Sequence, residues 1–185
     1  FNGDGKEYLG VVTFKSNKSI KIKEELRHES VNKKKIILAQ SIPSYKYMDF
    51  TIQKSVELGI DEIIPIVSGR SHPGDHEKKM DHWKKVIIHA VEQSGGLYIP
   101  RLSEPLSFYD LVEMKKYEKH EKILLDPSGS KLISTSRSNF PKIVIIGPEG
   151  GFSDDELDAA RTFSWNIVKL GDRILRTETA AIVAQ

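Results

Sequence analysis

Cysteine is absent from this chain of 185 residues, so neither disulfides nor thiolate metal sites can contribute, a composition that fits a reducing compartment. Long apolar runs are missing as well. None approaches the ~20 residues needed to cross a bilayer, and no signal peptide is visible. Charge is nearly balanced, with 28 Lys and Arg against 26 Asp and Glu, giving a net +2. The pI near 8.6 stays below the value of about 9 that marks a nucleic-acid binder by charge alone. No internal repeat or low-complexity segment occurs. These absences exclude a disulfide framework and a membrane-spanning helix, and they lead to the expectation of a soluble cytoplasmic protein. With 38% hydrophobic residues, the chain is long enough for one fair-sized domain, or one domain plus a small module.

Its strongest features lie in the last third. Ile146-Gly147-Pro148-Glu149-Gly150-Gly151-Phe152 follows the β-type run 142–146. Leu170-Gly171-Asp172-Arg173-Ile174-Leu175-Arg176-Thr177-Glu178-Thr179-Ala180-Ala181 follows the run 166–170. Two neighbouring strands are thus expected to end in loops that bring bare backbone close to one ligand. Between them Ser153-Asp154-Asp155-Glu156 reads as a capping box, with Ser153 as N-cap, opening a helix to about Phe163. Strand, loop and helix alternate, which predicts an α/β fold with a parallel sheet and a ligand beyond the carboxyl ends of its strands.

Upstream, residues 35–42 read as the first strand of the main domain and 47–58 as its first helix, stopped by Gly59. A strand over 61–67 and a charged loop over 70–79 follow. The pattern then predicts a helix over 80–93 with Trp83, Val86, Ile87, Ala90 and Val91 on its apolar face. A shorter helix is expected over 107–117, then a strand over 122–125 ending at Asp126-Pro127-Ser128-Gly129. At the front, Asn-Gly and Asp-Gly predict a turn into a strand whose partner precedes residue 1. Gly3-Asp4-Gly5-Lys6 lacks the rest of a phosphate loop and reads as a hairpin turn. The chain opens without Met and stops at Gln185 inside a helical pattern, so both ends read as truncated.

The wording GPEGGFS and LGDRILRTETA resembles the signature of the ribosomal RNA uridine-N(3) methyltransferases of the SPOUT superfamily. Two further blocks resemble that family in the same order: Asp49-Phe50-Thr51-Ile52-Gln53-Lys54-Ser55-Val56-Glu57-Leu58-Gly59 with Ile63-Ile64-Pro65, and Trp83-Lys84-Lys85 with Ala90-Val91-Glu92-Gln93-Ser94-Gly95. The resemblance implies an S-adenosylmethionine-dependent enzyme methylating ring nitrogen 3 of a uridine in 16S ribosomal RNA, free or in the assembled small subunit. It further implies a homodimer, a C-terminal trefoil knot, and residues 1–28 as the remnant of a small PUA-like β-barrel before a main domain over 33–185. Adenine can be read by backbone N–H and C=O groups, which suits loops free of side-chain clutter. Gly147, Glu149, Gly150 and Gly151 are then one wall of the cofactor site and Leu170, Gly171, Ile174 and Leu175 another, with Thr179 and Ala180 at the start of the closing helix.

Loss of a proton from the uridine nitrogen calls for a general base or for cations that stabilise the ring. Arg176, to hold a phosphate or uracil oxygen, and Glu178, to orient substrate or take the proton, are the catalytic candidates; a surface ion pair and a favourable carboxylate near a helix start are the bland alternatives. Arg70, Gln93 and the weaker candidate Arg173 are expected on the RNA side. Here the chain departs from the family, with Gly69 where glutamate is usual before the arginine and Gly96 where arginine is common. Lys15, Lys18, Lys21, Lys23, Lys33, Lys34 and Lys35 crowd the first 35 residues, as a phosphate-tracking surface or simply a solvated face would. The six histidines show no ligand-like convergence, so no metal is expected. Methylation of a ribose 2′-hydroxyl and a catalytically inactive ribosome-assembly role remain the alternatives.

Overall fold

The computed structural model of the chain describes residues 1–14, 18–29, 35–133 and 140–185. Its strands are β1 (Lys6–Phe14), β2 (Lys18–His28), β3 (Ile36–Ser41), β4 (Glu62–Val67), β5 (Arg101–Leu102), β6 (Leu106–Ser107), β7 (Glu121–Leu125), β8 (Lys131–Leu132), β9 (Lys142–Ile146) and β10 (Asn166–Lys169). The helices are α1 (Tyr45–Glu57), α2 (Met80–Ser94), α3 (Phe108–Glu113), α4 (Asp154–Thr162) and α5 (Thr177–Val183). The main sheet runs β5-β4-β3-β9-β7-β10-β8, with β6 also on β4, and every pairing in it is parallel.

Both faces of this sheet are covered, which is why its central strands are continuous apolar runs rather than alternating ones. In β9, Val144 and Ile146 join Leu38, Trp83 and Ile87 under α1 and α2. Ile143 and Ile145 face the other way, onto Phe108 and Leu111 of α3 and Leu157 of α4. Helix α1 ends where Gly59 adopts φ 84°, and α2 ends on Gly95 in the left-handed conformation at φ 70°. The capping box of α4 is present, the Glu156 N–H donating to Ser153 Oγ and the Ser153 N–H to Glu156 Oε2.

Several expectations are corrected. The strands that end in the two glycine loops are not neighbours, because β7 lies between β9 and β10. The partner of β1 lies after it in the chain: it pairs antiparallel with β2, Lys6 opposite His28. The Gly3 to Lys6 segment is no hairpin turn. It docks on the main domain, with Asp4 bridged to Tyr98 and the Gly5 N–H donating to the Leu97 carbonyl. The helix expected over 107–117 stops at Glu113, since Met114 is extended (ψ 112°) and only a 3₁₀ turn follows. Lys15, Lys33 and Lys34 lie outside the described residues, whereas Lys21, Lys23 and Lys35 are exposed.

Two histidines tie stability to pH. His76, whose Nδ1 lies 3.3 Å from Tyr45 Oη, is held below its ordinary value by burial and by His72 beside it. Burial lowers His120 as well. The unfolded chain therefore binds more protons than the folded one as pH falls through about 6.5, and stability declines there. Denaturation between pH 7.5 and 5 should show this loss at roughly the range where free histidine titrates, and H76Q with H120Q should flatten it. An unchanged slope in the double variant would assign the loss to other groups.

Candidate functional site

The carboxyl ends of β7, β9 and β10 open on one cleft of about 990 Å³. Three chain segments wall it. The loop after β9 turns tightly, the Gly151 N–H donating to the Pro148 carbonyl, with Gly151 at φ 66°. A Cβ on Gly147 would lie 3.1 Å from the Phe152 ring, so this glycine serves packing within the loop. Gly150 is packed by Arg70, whose Cδ would be 3.2 Å from an added Cβ. On Gly151 or Gly171, by contrast, a Cβ would meet nothing within 4 Å, so both leave open space.

The second wall is the segment after β10. Leu170, Gly171, Ile174 and Leu175 line it, and Ile174 is 83% exposed, an apolar side chain available to a ligand. The third wall, Leu125 at the end of β7 with Asp126, Pro127 and Ser128 after it, is absent from the expected site. A side chain on Gly129 would strike the Val168 backbone at 2.5 Å, so this loop lies flush against β10. The sequence signal for it existed, a third strand running into Asp-Pro-Ser-Gly at the same end of the sheet.

Buried hydrogen bonds hold the walls in register. Thr177 Oγ1 donates to the Gly147 carbonyl at 2.5 Å and accepts from Nε2 of the fully buried Gln40 at 3.0 Å. Arg70 Nη1 donates to the carbonyls of Gly150 (2.7 Å) and Phe152 (3.3 Å). The expected RNA contact is therefore engaged in bracing the first loop. Glu156, 1% exposed, accepts from the Gly69 N–H at 2.8 Å as well as capping its own helix. Glu149 turns its carboxylate to the Ser44 N–H, 3.0 Å away, where α1 begins.

Arg173, Arg176, Glu178 and Ala180 line the cleft, whereas Thr179 does not. Helix α5 starts at Thr177, and one helical step turns the Thr179 side chain to the exposed face while Thr177 and Glu178 are buried. Neither arginine's side chain has a hydrogen-bond or ion-pair partner among the described residues, which removes the surface ion pair as an account of them. Glu178 is only 9% exposed, and its carboxylate likewise has no partner among the described residues. Gln93 lines a second groove, of about 890 Å³, between α1 and α2. No group of three metal-ligating side chains occurs among the described residues.

A parallel α/β domain with a backbone-walled cleft at its strand ends is the architecture of an RNA methyltransferase domain, and the family profile so described matches residues 30–185. The ribosomal RNA small subunit methyltransferase E of Mesomycoplasma hyopneumoniae is 37% identical over 95% of this chain and 78% of its own length. The chain belongs to that family. A crystal structure of the Neisseria gonorrhoeae enzyme of the same name, bound to S-adenosyl methionine, superposes with a TM-score of 0.88 at 31% identity, covering all of this chain and 78% of that one. A putative methyltransferase from Legionella pneumophila, in complex with the same cofactor, gives 0.86 at 38% identity, with coverage of 100% and 78%.

The Thr177 hydroxyl is the bond between two walls. T177V should lower stability by about 0.5–1.5 kcal/mol in urea denaturation, because the Gly147 carbonyl loses its short hydroxyl donor and keeps only the Gln40 amide at 3.4 Å, while that amide retains the Ser41 carbonyl at 2.8 Å. A change below ~0.5 kcal/mol would remove the bond from this role.

Proposed function

We propose that the cleft binds S-adenosylmethionine and that the chain methylates ring nitrogen 3 of a uridine in 16S ribosomal RNA, free or in the small subunit. The single observation that carries this reading is the buried, unpartnered Glu178 standing with Arg176 at a cleft whose other walls are backbone and apolar side chains. The open space at Gly151 and Gly171 and the exposed Ile174 fit an adenine and its ribose.

The bound cofactor supplies a methyl group on a sulfonium: the nitrogen–carbon bond forms as the carbon–sulfur bond breaks, the sulfur keeping the electron pair as a neutral thioether. The chain's own contribution is positioning and proton handling. Glu178 takes the proton from the ring nitrogen. Arg176 steadies the negative charge that the ring oxygens gain, or an adjacent phosphate, and Arg173 contributes a second cation at the same mouth. Arg70 acts indirectly, by holding the Gly150 carbonyl. Neither Gly69 nor Gly96 lines the cleft, so the departures at these positions leave the cofactor walls intact.

The same proposal includes a homodimer in the cytoplasm and a knotted C-terminal passage. It also divides the chain into a PUA-like portion over 1–28 and a methyltransferase domain over 33–185. Apolar side chains exposed along β1 and β2, among them Val11, Phe14, Ile20 and Ile22, support the first as part of a larger β-unit.

Small ribosomal subunits lacking the modification, incubated with labelled S-adenosylmethionine and this protein, should yield labelled N3-methyluridine on nucleoside analysis. Label on a ribose or another base would overturn the assignment. E178Q should lower kcat by about 10²–10⁴-fold with cofactor affinity unchanged, as loss of a general base does. G171V should instead weaken cofactor binding in calorimetry, because its β-branched side chain enters the open space of the second wall. Equal affinity in G171V would exclude this loop from the pocket.

A further inference from the structure

Glu178 and Tyr47 have a property no other described residues share: they line both the cofactor cleft and the second groove between α1 and α2. We infer that this groove is the acceptor site, where one base of the RNA is received, unstacked from its neighbours, with its edge turned towards Glu178. The inference rests on the reading of the first cleft as the methyl-donor site. A transferase has to bring acceptor and donor together, so the acceptor belongs beside the donor cleft, and Glu178 is the only acidic residue among the described ones that lines both.

The chemistry of the groove suits a pyrimidine. Phe50, on α1, is 42% exposed and offers a ring face, while Val86 and Ala90 of α2 add apolar surface. Single-stranded RNA is read by stacking unstacked bases on such rings and by hydrogen bonds to their edges. Gln53 of α1 and Gln93 of α2 are exposed in the same groove, and neither amide has a hydrogen-bond partner among the described residues. An amide presents both a donor and an acceptor, which matches the alternating carbonyl, N–H and carbonyl groups on the edge of uracil. Lys46 completes the groove with a cation for the flanking phosphate. Gln93, expected on the RNA side from the sequence, thereby gains a specific partner.

The experiment compares wild type with F50A and with the double variant Q53A/Q93A, all positions being exposed so that the core is untouched. Three quantities are read: the dissociation constant of unmodified small ribosomal subunits by filter retention, the KM for those subunits, and cofactor affinity by calorimetry. Molecular mass by light scattering accompanies them. Subunit affinity and KM should worsen about tenfold in F50A, the loss expected for one base stacked on one ring, with cofactor affinity and mass unchanged. The double variant should show its larger effect in kcat/KM with uridine substrate. Subunit affinity and KM within about twofold of wild type in both variants would overturn the inference. So would a drop in molecular mass, since the groove would then be the seat of a second copy of the chain. Label on a nucleoside other than N3-methyluridine would defeat the uridine reading without touching the groove, whereas correct product with unchanged KM would defeat the groove alone.

Discussion

The hydrogen bonds joining Gln40, Thr177 and the Gly147 carbonyl fasten together β3, the loop after β9 and the start of α5. Each bond is worth only about 1 kcal/mol net, yet the groups are buried, and a partner lost from such a site costs more than the bond contributes. Their value is therefore geometric. They fix where the first glycine loop ends relative to the first turn of α5, and so where Glu178 stands relative to the cleft floor. Gln40 also keeps its Oε1 buried without a partner among the described residues, a cost that an apolar residue at the same place in the strand would not carry.

Around this node the first loop is braced from outside by charge. Arg70 spans two of its carbonyls, Glu149 reaches the start of α1, and Glu156 links α4 to the Gly69 segment. Charge-assisted bonds of this kind are the stronger class, and here they hold main-chain groups rather than ligand. The rigid first wall contrasts with the second. Residues 172–176 carry exposed side chains, and the side chains of their arginines have no partners among the described residues. One wall is preset and the other offers free groups.

Much of this was legible in the sequence because local rules governed it. The Ser153 capping box, the stop at Gly59 and the apolar face of α2 all follow from spacing along one segment, and the structure has each of them. The parallel sheet followed from the alternation of elements. Sheet order did not, because it is set by which strands meet across long stretches of chain; β7 could not be placed between β9 and β10, and its loop was missed as a wall. The short strands β5, β6 and β8 span two residues each, too few to show a period. Gln40 gave no sign of its role, since a polar residue inside a strand reads the same whether it faces solvent or a buried node. The expectation of Thr179 in the site fails because the start of the helix, which decides which side chain faces inward, lies within the usual uncertainty of such boundaries.

The bond from Gln40 to Thr177 spans 137 residues of sequence. Closing so long a loop has an entropic cost that grows only slowly with length, but it is met before any contact across the loop can repay it. Helices α1 and α2 and their short connections can form early, on contacts near in sequence. The cleft waits for strand pairings and a final closure that draw on both ends of the domain, the kind of assembly that folds slowly. During synthesis the chain up to residue 176 would contain both glycine loops and still lack the anchor that sets them apart at the right distance. Competence to bind thus depends on contacts far apart in sequence, and by mass action a ligand that binds only the closed form holds it there.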